Sequence, residues 1–188
     1  MIGKGKSISH GVAALEYDLA KEINGQAVAT EIARHELYGC TGAEMVQEMK
    51  PYHIDFPNVK NNCLRFEVSP SIEESATFTD ADWAELGNDF MQRMGLANHQ
   101  YIIIRHSGTE SKKEQAHLHI LANRVSLSGE LYRDNWIGKK ATEAANAIAK
   151  ERNFVQSQDI GKVNKAEIKE AMDGVLKKMQ GFDFTKFK

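Results

Sequence analysis

Polar and apolar positions along the chain alternate between two periods. In residues 62–69 (NCLRFEVS), Leu64, Phe66 and Val68 alternate with Arg65, Glu67 and Ser69, the period of a half-buried strand. The apolar run 101–105 (YIIIR) and the segment 117–125 (HLHILANRV) read as two further strands on either side of a polar loop, 107–116. Helical spacing appears at 9–22, where Ser9 can cap and Val12, Leu15 and Leu19 form one stripe that Asn24-Gly25 stops. It recurs at 28–35, at 41–50 before Pro51, and at 136–152. The strongest helix is 79–94, opened by Thr79 and stopped by Gly95, with Trp83, Leu86, Phe90 and Met94 on one face. Segment 164–180 carries Ile168, Met172, Val175 and Met179 on one face, which can cover a cleft or pack on the body. The two strands beside the polar loop can pair as an antiparallel hairpin. The pattern predicts an α+β domain with a central antiparallel β-sheet covered by helices.

At 188 residues the chain suits one domain with a full core, and 41% apolar with 27% charged residues is ordinary globular composition. No apolar stretch approaches the ~18–20 residues of a membrane span, and no apolar segment follows the basic N-terminus, so a cytoplasmic protein is expected. Cys40 and Cys63 form no CxxC pair and read as free thiols. The net charge of −2 hides an asymmetry, since residues 137–188 hold 11 Lys and Arg against 7 Asp and Glu. Such a basic third can follow a phosphate backbone or be a solvated helix face.

His117 and His119 lie two apart on one strand and so share a face, while Leu118 and Ile120 point the other way. His106 ends the partner strand. If the strands pair, three imidazoles converge, as a three-ligand metal site with open positions requires. Asn123 shares the face of His119 and can orient a ligand or serve the sheet. Glu67, on the polar face of the earlier strand, can support the metal site, take a proton from a nucleophile, or face solvent. His10, His35, His53 and His99 read as surface or loop residues.

His117-Leu118-His119 followed by Asn123 resembles the signature of HUH endonucleases. The stretch from Leu64 to Val125 resembles more closely the MobA-type relaxase/mobilisation nuclease family: a strand ending in Ser-Pro, a helix opening with Thr-Asp and carrying a Trp, a strand ending in His, then H-x-H. The resemblance covers about residues 1–150, with 160–188 as a helical extension. It implies a single nicking domain of a bacterial mobilisation protein, with room for further domains in a longer protein. It also implies a tyrosine nucleophile on the first helix, carried here onto Tyr17 after Gly5-Lys6-Ser7, and metal ligands at His106, His117 and His119. The long segment 107–116 departs from the family pattern, with Glu110 standing where an acid is expected after the first His.

The implied partners are single-stranded DNA at a transfer origin and accessory mobilisation proteins. The implied cofactor is a divalent ion, Mg or Mn, with Zn, Ni or Co also able to occupy the site. The implied reaction is tyrosine attack on a phosphodiester, giving a 5′-phosphotyrosyl intermediate that permits rejoining. Tyr38 and Tyr132 are rival nucleophiles. Lys4, Lys6, Arg105, Arg124, Lys139 and Lys140 are candidate phosphate contacts. Two other readings stay open: a non-covalent metal-dependent phosphodiesterase, and a DNA-binding module with a structural metal. Gly5-Lys6-Ser7 is no P-loop, because neither its upstream glycine nor its strand is present.

Overall fold

The structure is a computed structural model that describes residues 1–108 and 115–178, with side chains throughout except at 160, 163, 164 and 176–178. Glu110 and Met179 lie outside the described residues. The elements run β1 (Ile2–Ile8), α1 (Gly11–Leu19), β2 (Glu22–Ile23), β3 (Gln26–Ala27), β4 (Ala29–His35), α2 (Gly42–Met49) and a 3-10 turn (Lys50–His53). They continue with β5 (Cys63–Ser69), α3 (Ile72–Ser75), α4 (Asp80–Arg93), β6 (His99–His106), β7 (His117–Ser126), α5 (Ile137–Glu151) and α6 (Ser157–Lys178).

One antiparallel sheet, ordered β1-β5-β7-β6-β4, organises the domain. Its two faces carry separate cores. Leu64, Phe66, Val68, Leu118, Ile120 and Ile103 meet Trp83, Leu86 and Phe90 of α4 and Ala141, Ala145 and Ile148 of α5. On the other face Ile8, Cys63, Leu121, Ile102 and Ile104 meet Leu15 of α1 and Met45, Val46 and Met49 of α2. This is the expected α+β sheet covered by helices. The α4 stripe Trp83, Leu86, Phe90 and Met94 is buried as its spacing predicts. A capping box between Thr79 and Asp82 starts that helix, and a second between Thr41 and Glu44 starts α2.

Several local expectations fail for physical reasons. The N-terminal segment is a strand, β1, paired with β5 so that Lys4 faces Glu67 and Lys6 faces Arg65. Its core-facing positions are Gly3 and Gly5, which hide the alternation. A Cβ at Gly3 would lie 2.4 Å from the Ala141 carbonyl oxygen, so α5 seats directly on the backbone there. Residues 28–35, expected as a helix, are the edge strand β4, where pairing with β6 outweighs the helix preference of Ala, Glu and Arg. The first helix starts after His10, without the Ser9 cap, and ends at Leu19. Asn24 and Gly25, both at positive φ (55° and 74°), instead turn the small β2–β3 hairpin. On α6, Ile168, Met172 and Val175 are exposed rather than packed on the body. Among the described residues no helix is long and apolar enough to cross a membrane.

Candidate metal centre and adjoining cleft

Register delivers the imidazoles to one place. His106 of β6 stands opposite His117 of β7, and His119 stands opposite Glu67 of β5. All three histidines are buried, and one ring nitrogen of each belongs to a set whose members lie within 4.8 Å of one another. The ring centroids are 4.4, 4.8 and 5.4 Å apart.

Hydrogen bonds orient each ring. His117 Nδ1 donates to the Gln115 carbonyl oxygen at 3.1 Å, leaving Nε2 as an acceptor 3.0 Å from His119 Nε2. Arg65 donates to His119 Nδ1 at 3.2 Å, which places the His119 proton on Nε2. His106 Nε2 donates to the Asp18 carbonyl oxygen at 2.8 Å.

Sequence reasoning passed over Asp18, because a lone acid in an amphipathic helix reads as solvent-facing. It is buried, its carboxylate takes two bonds from Arg65 at 3.0 and 2.5 Å, and Oδ1 lies 3.8 Å from His119 Nδ1. A carboxylate and a backbone carbonyl behind ligand histidines are the supports a metal site needs.

Burial holds His119 neutral, pushed down to about 2, with the charges of His106, His117, Arg65 and Lys4 adding to the effect. Burial also lowers His106, partly offset by its bond to Asp18. Neutral imidazoles are ready ligands. With ion–nitrogen distances of about 2.1 Å, ligand nitrogens sit roughly 3.0–3.4 Å apart. The His117–His119 separation of 3.0 Å already meets that spacing, and with all three ligand atoms within 4.8 Å of one another the set fits a divalent cation once the rings draw in and His119 Nε2 gives up its proton.

A cleft opens beside His119, lined by Lys4, Gly5, Lys6, Arg65, Phe66 and Glu67. Glu67, directly across from His119, is partly exposed and takes a bond from Lys4 Nζ at 2.9 Å. Tyr17 precedes Asp18 on α1. Consecutive helical residues point about 100° apart, so where Asp18 enters the site Tyr17 stands outside it, 58% exposed. Lys21 Nζ donates to the Tyr17 hydroxyl at 2.8 Å.

Other candidates lie elsewhere. Asn123 is fully buried, and its carboxamide joins His53, Gln100, the Met49 carbonyl and the Val125 amide. It sits four residues, about 13 Å, along the strand from His119, so its bonds fasten β7 to β6 and the 3-10 turn rather than orient a ligand. Arg105 alternates to the opposite sheet face and pairs with Asp80. Arg124 also faces away, spent on Asp134, Tyr132 and Asn61. Neither can be a phosphate contact at this site. Lys139 and Lys140 belong to α5 on that opposite face. Lys139 lies 3.8 Å from Glu143, while Lys140 donates to the Arg133 carbonyl oxygen and covers the Tyr132 ring. His99, expected at the surface, is buried and bonded to the Asn123 carbonyl oxygen. Of the rival tyrosines, Tyr38 is exposed with its hydroxyl held by Glu36, whose carboxylate raises its pKa, and burial raises that of Tyr132.

No sequence match was found among curated proteins. A solved structure described as the conjugative relaxase TrwC in complex with oriT DNA, metal-bound, is similar at 13% identity and a TM-score of 0.32. The match covers 85% of this chain and 61% of that one, so this chain spans under two thirds of that relative's length. The relaxase family model described as MobA/VirD2-like, nuclease domain, matches residues 17–154. That span holds the three converging histidines, the acid behind them and the strands β4 to β7 that position them, and the chain belongs to the MobA/VirD2-like relaxase family through its nuclease domain.

Proposed function

We propose that this domain nicks one strand of DNA at a transfer origin, with Tyr17 as nucleophile, and can rejoin it. The observation that carries the reading is the buried trio of imidazoles reached by Asp18, the residue next to Tyr17. One helix thus ties the phenol to the place where a phosphodiester would be polarised.

The bond that forms joins Tyr17 Oη to phosphorus, and the bond that breaks joins phosphorus to the 3′ oxygen. The products are a 5′-phosphotyrosyl enzyme and a 3′ hydroxyl. The Tyr17 proton passes to Glu67, which stands beside His119 on the neighbouring strand, and the leaving 3′ oxygen takes up a proton from water. Lys21 places a positive charge beside the oxygen on which negative charge builds. Lys4, Lys6 and Arg65 line the cleft where a phosphate backbone would run. His106, His117 and His119 would hold a divalent ion, which supplies Lewis-acid stabilisation of charge on the non-bridging phosphate oxygens. The phosphotyrosyl bond conserves the energy of cleavage, so rejoining needs no ATP.

The partner in this reading is single-stranded origin DNA, the setting is the bacterial cytoplasm, and the nicking unit is the body of about 1–150 with 160–188 as an extension. The test is incubation with single-stranded origin DNA and Mn or Mg. A protein–DNA adduct stable to denaturant is expected, and Tyr17→Phe abolishes it. Cleavage that persists in Tyr17→Phe without an adduct would mean a non-covalent phosphodiesterase. No cleavage at all, with the metal still bound, would mean a binding module.

A further inference from the structure

Trp136 is 80% exposed and holds φ 58° and ψ 28° at the start of α5. A bulky side chain in that left-handed region is strained. An indole held in water on a strained backbone is a cost without structural return. The other tryptophan, Trp83, is buried in the core between α4 and the sheet, as such a residue normally is.

The position of Trp136 relates it to the cleft. Gly138 lies two residues on, at most about 8 Å along the chain, and a Cβ there would sit 3.5 Å from the Gly5 carbonyl oxygen. Gly5 itself lines the cleft, between Lys4 and Lys6. Thr142 donates to the Gly3 carbonyl oxygen at 3.1 Å, so the first turns of α5 follow β1 along the sheet edge. A path from His119 through the lysine-lined cleft and over the edge of β1 arrives at the indole. Lys139, one turn later, is 72% exposed, while nearby Asp134 is neutralised by Arg124.

We infer that Trp136 is a stacking platform for a base of the single strand that leaves the cleft over β1. This rests on the nicking reading for its ligand, and adds a base-binding position on the opposite side of the edge strand. Stacking on an aromatic ring is tolerant of base identity, because every base has a π-face. It therefore grips the flank of the site, while sequence discrimination falls to other contacts.

With only two tryptophans in the chain, fluorescence of the full-length protein reports the platform directly. Oligothymidylate of about 12 nucleotides should quench the exposed indole, and inorganic polyphosphate, which has charge and no bases, should not. Trp136→Ala and Trp136→Gly should weaken oligothymidylate binding about tenfold and abolish the quench, while Trp136→Phe keeps most of the affinity. Trp136→Gly should also melt no lower than the parent, since glycine relieves the strained φ; a merely structural tryptophan would melt lower. Unchanged affinity in Trp136→Ala, with oligothymidylate still bound, overturns the platform and leaves the nicking reading standing. Failure of the parent to bind oligothymidylate at all also overturns the platform, while the nicking reading stands or falls separately on the covalent adduct with origin DNA.

Discussion

His106 and Asp18 are joined by a hydrogen bond from imidazole Nε2 to a main-chain oxygen, 2.8 Å long, across 88 residues of sequence. The carboxylate of the same Asp18 is occupied by Arg65, which in turn touches His119. The α1 helix therefore holds one ring of the candidate metal centre by its backbone and a second, through Arg65, by its side chain.

That division of labour predicts what Asp18 substitutions do. Asp18→Ala strips the partner from a largely covered guanidinium, and loss of one member of a buried pair costs about 3–5 kcal/mol, at the lower end here because Arg65 is 22% exposed. Asp18→Leu combined with Arg65→Met should recover most of that in urea unfolding. The backbone bond to His106 survives both changes, so divalent-ion affinity should fall rather than vanish.

Ion binding should raise the melting midpoint. At an ion concentration about 100-fold above Kd the gain is about 2.7 kcal/mol, or roughly 5–10 °C for a domain of this size. Thermal melts with Mn or Zn should lose the shift in His106→Ala, His117→Ala and His119→Ala. A shift retained in all three would place the ion elsewhere.

Acid should unfold the domain through its histidines. His119 is pushed down to about 2 in the fold, with His106 and His99 lowered in the same direction by burial. A folded pKa below the unfolded one means the unfolded chain binds more protons. The stabilisation is therefore complete above about pH 6.5 and drains away as pH falls toward the folded value. Metal-free unfolding free energy should drop by up to about 1.4 kcal/mol per pH unit for each such group below pH 6. His119→Leu should flatten the slope.

Much of the site was legible in the linear pattern because strands have a period of two. His117 and His119 had to share a face, and the apolar run before His106 identified the partner strand. The same alternation put Glu67 on the polar face of its strand, but its place opposite His119 is set by the pairing of β5 with β7, which the linear pattern left open. What escaped was held by tertiary contact. Asp18 looks solvent-facing until Arg65 arrives from β5, and β1 shows no apolar alternation because α5 leaves room only for glycine. Gly3→Ala should accordingly destabilise by about 1–3 kcal/mol, since the new methyl meets the Ala141 carbonyl oxygen and the Ala145 Cβ. Urea titration against the parent measures it.

Glu67→Gln should retain the fold, as its side chain is partly exposed and, among the described residues, bonded only to Lys4. If it accepts the Tyr17 proton, single-turnover adduct formation should slow about 100-fold or more. The deficit should shrink as pH rises and hydroxide takes over the deprotonation. An unchanged rate would remove Glu67 from the proton path.

The sheet works as a bulkhead between two compartments of unequal duty. Behind it, the larger oily mass of α4 and α5 supplies most of the folding cohesion, whereas the thinner layer under α1 and α2 shares its floor with the imidazoles. Drift in residues of the rear compartment can retune robustness while the chemistry stays put. A change under α1 shifts the scaffold and the imidazoles together, so that thin layer tolerates less drift than the rear compartment.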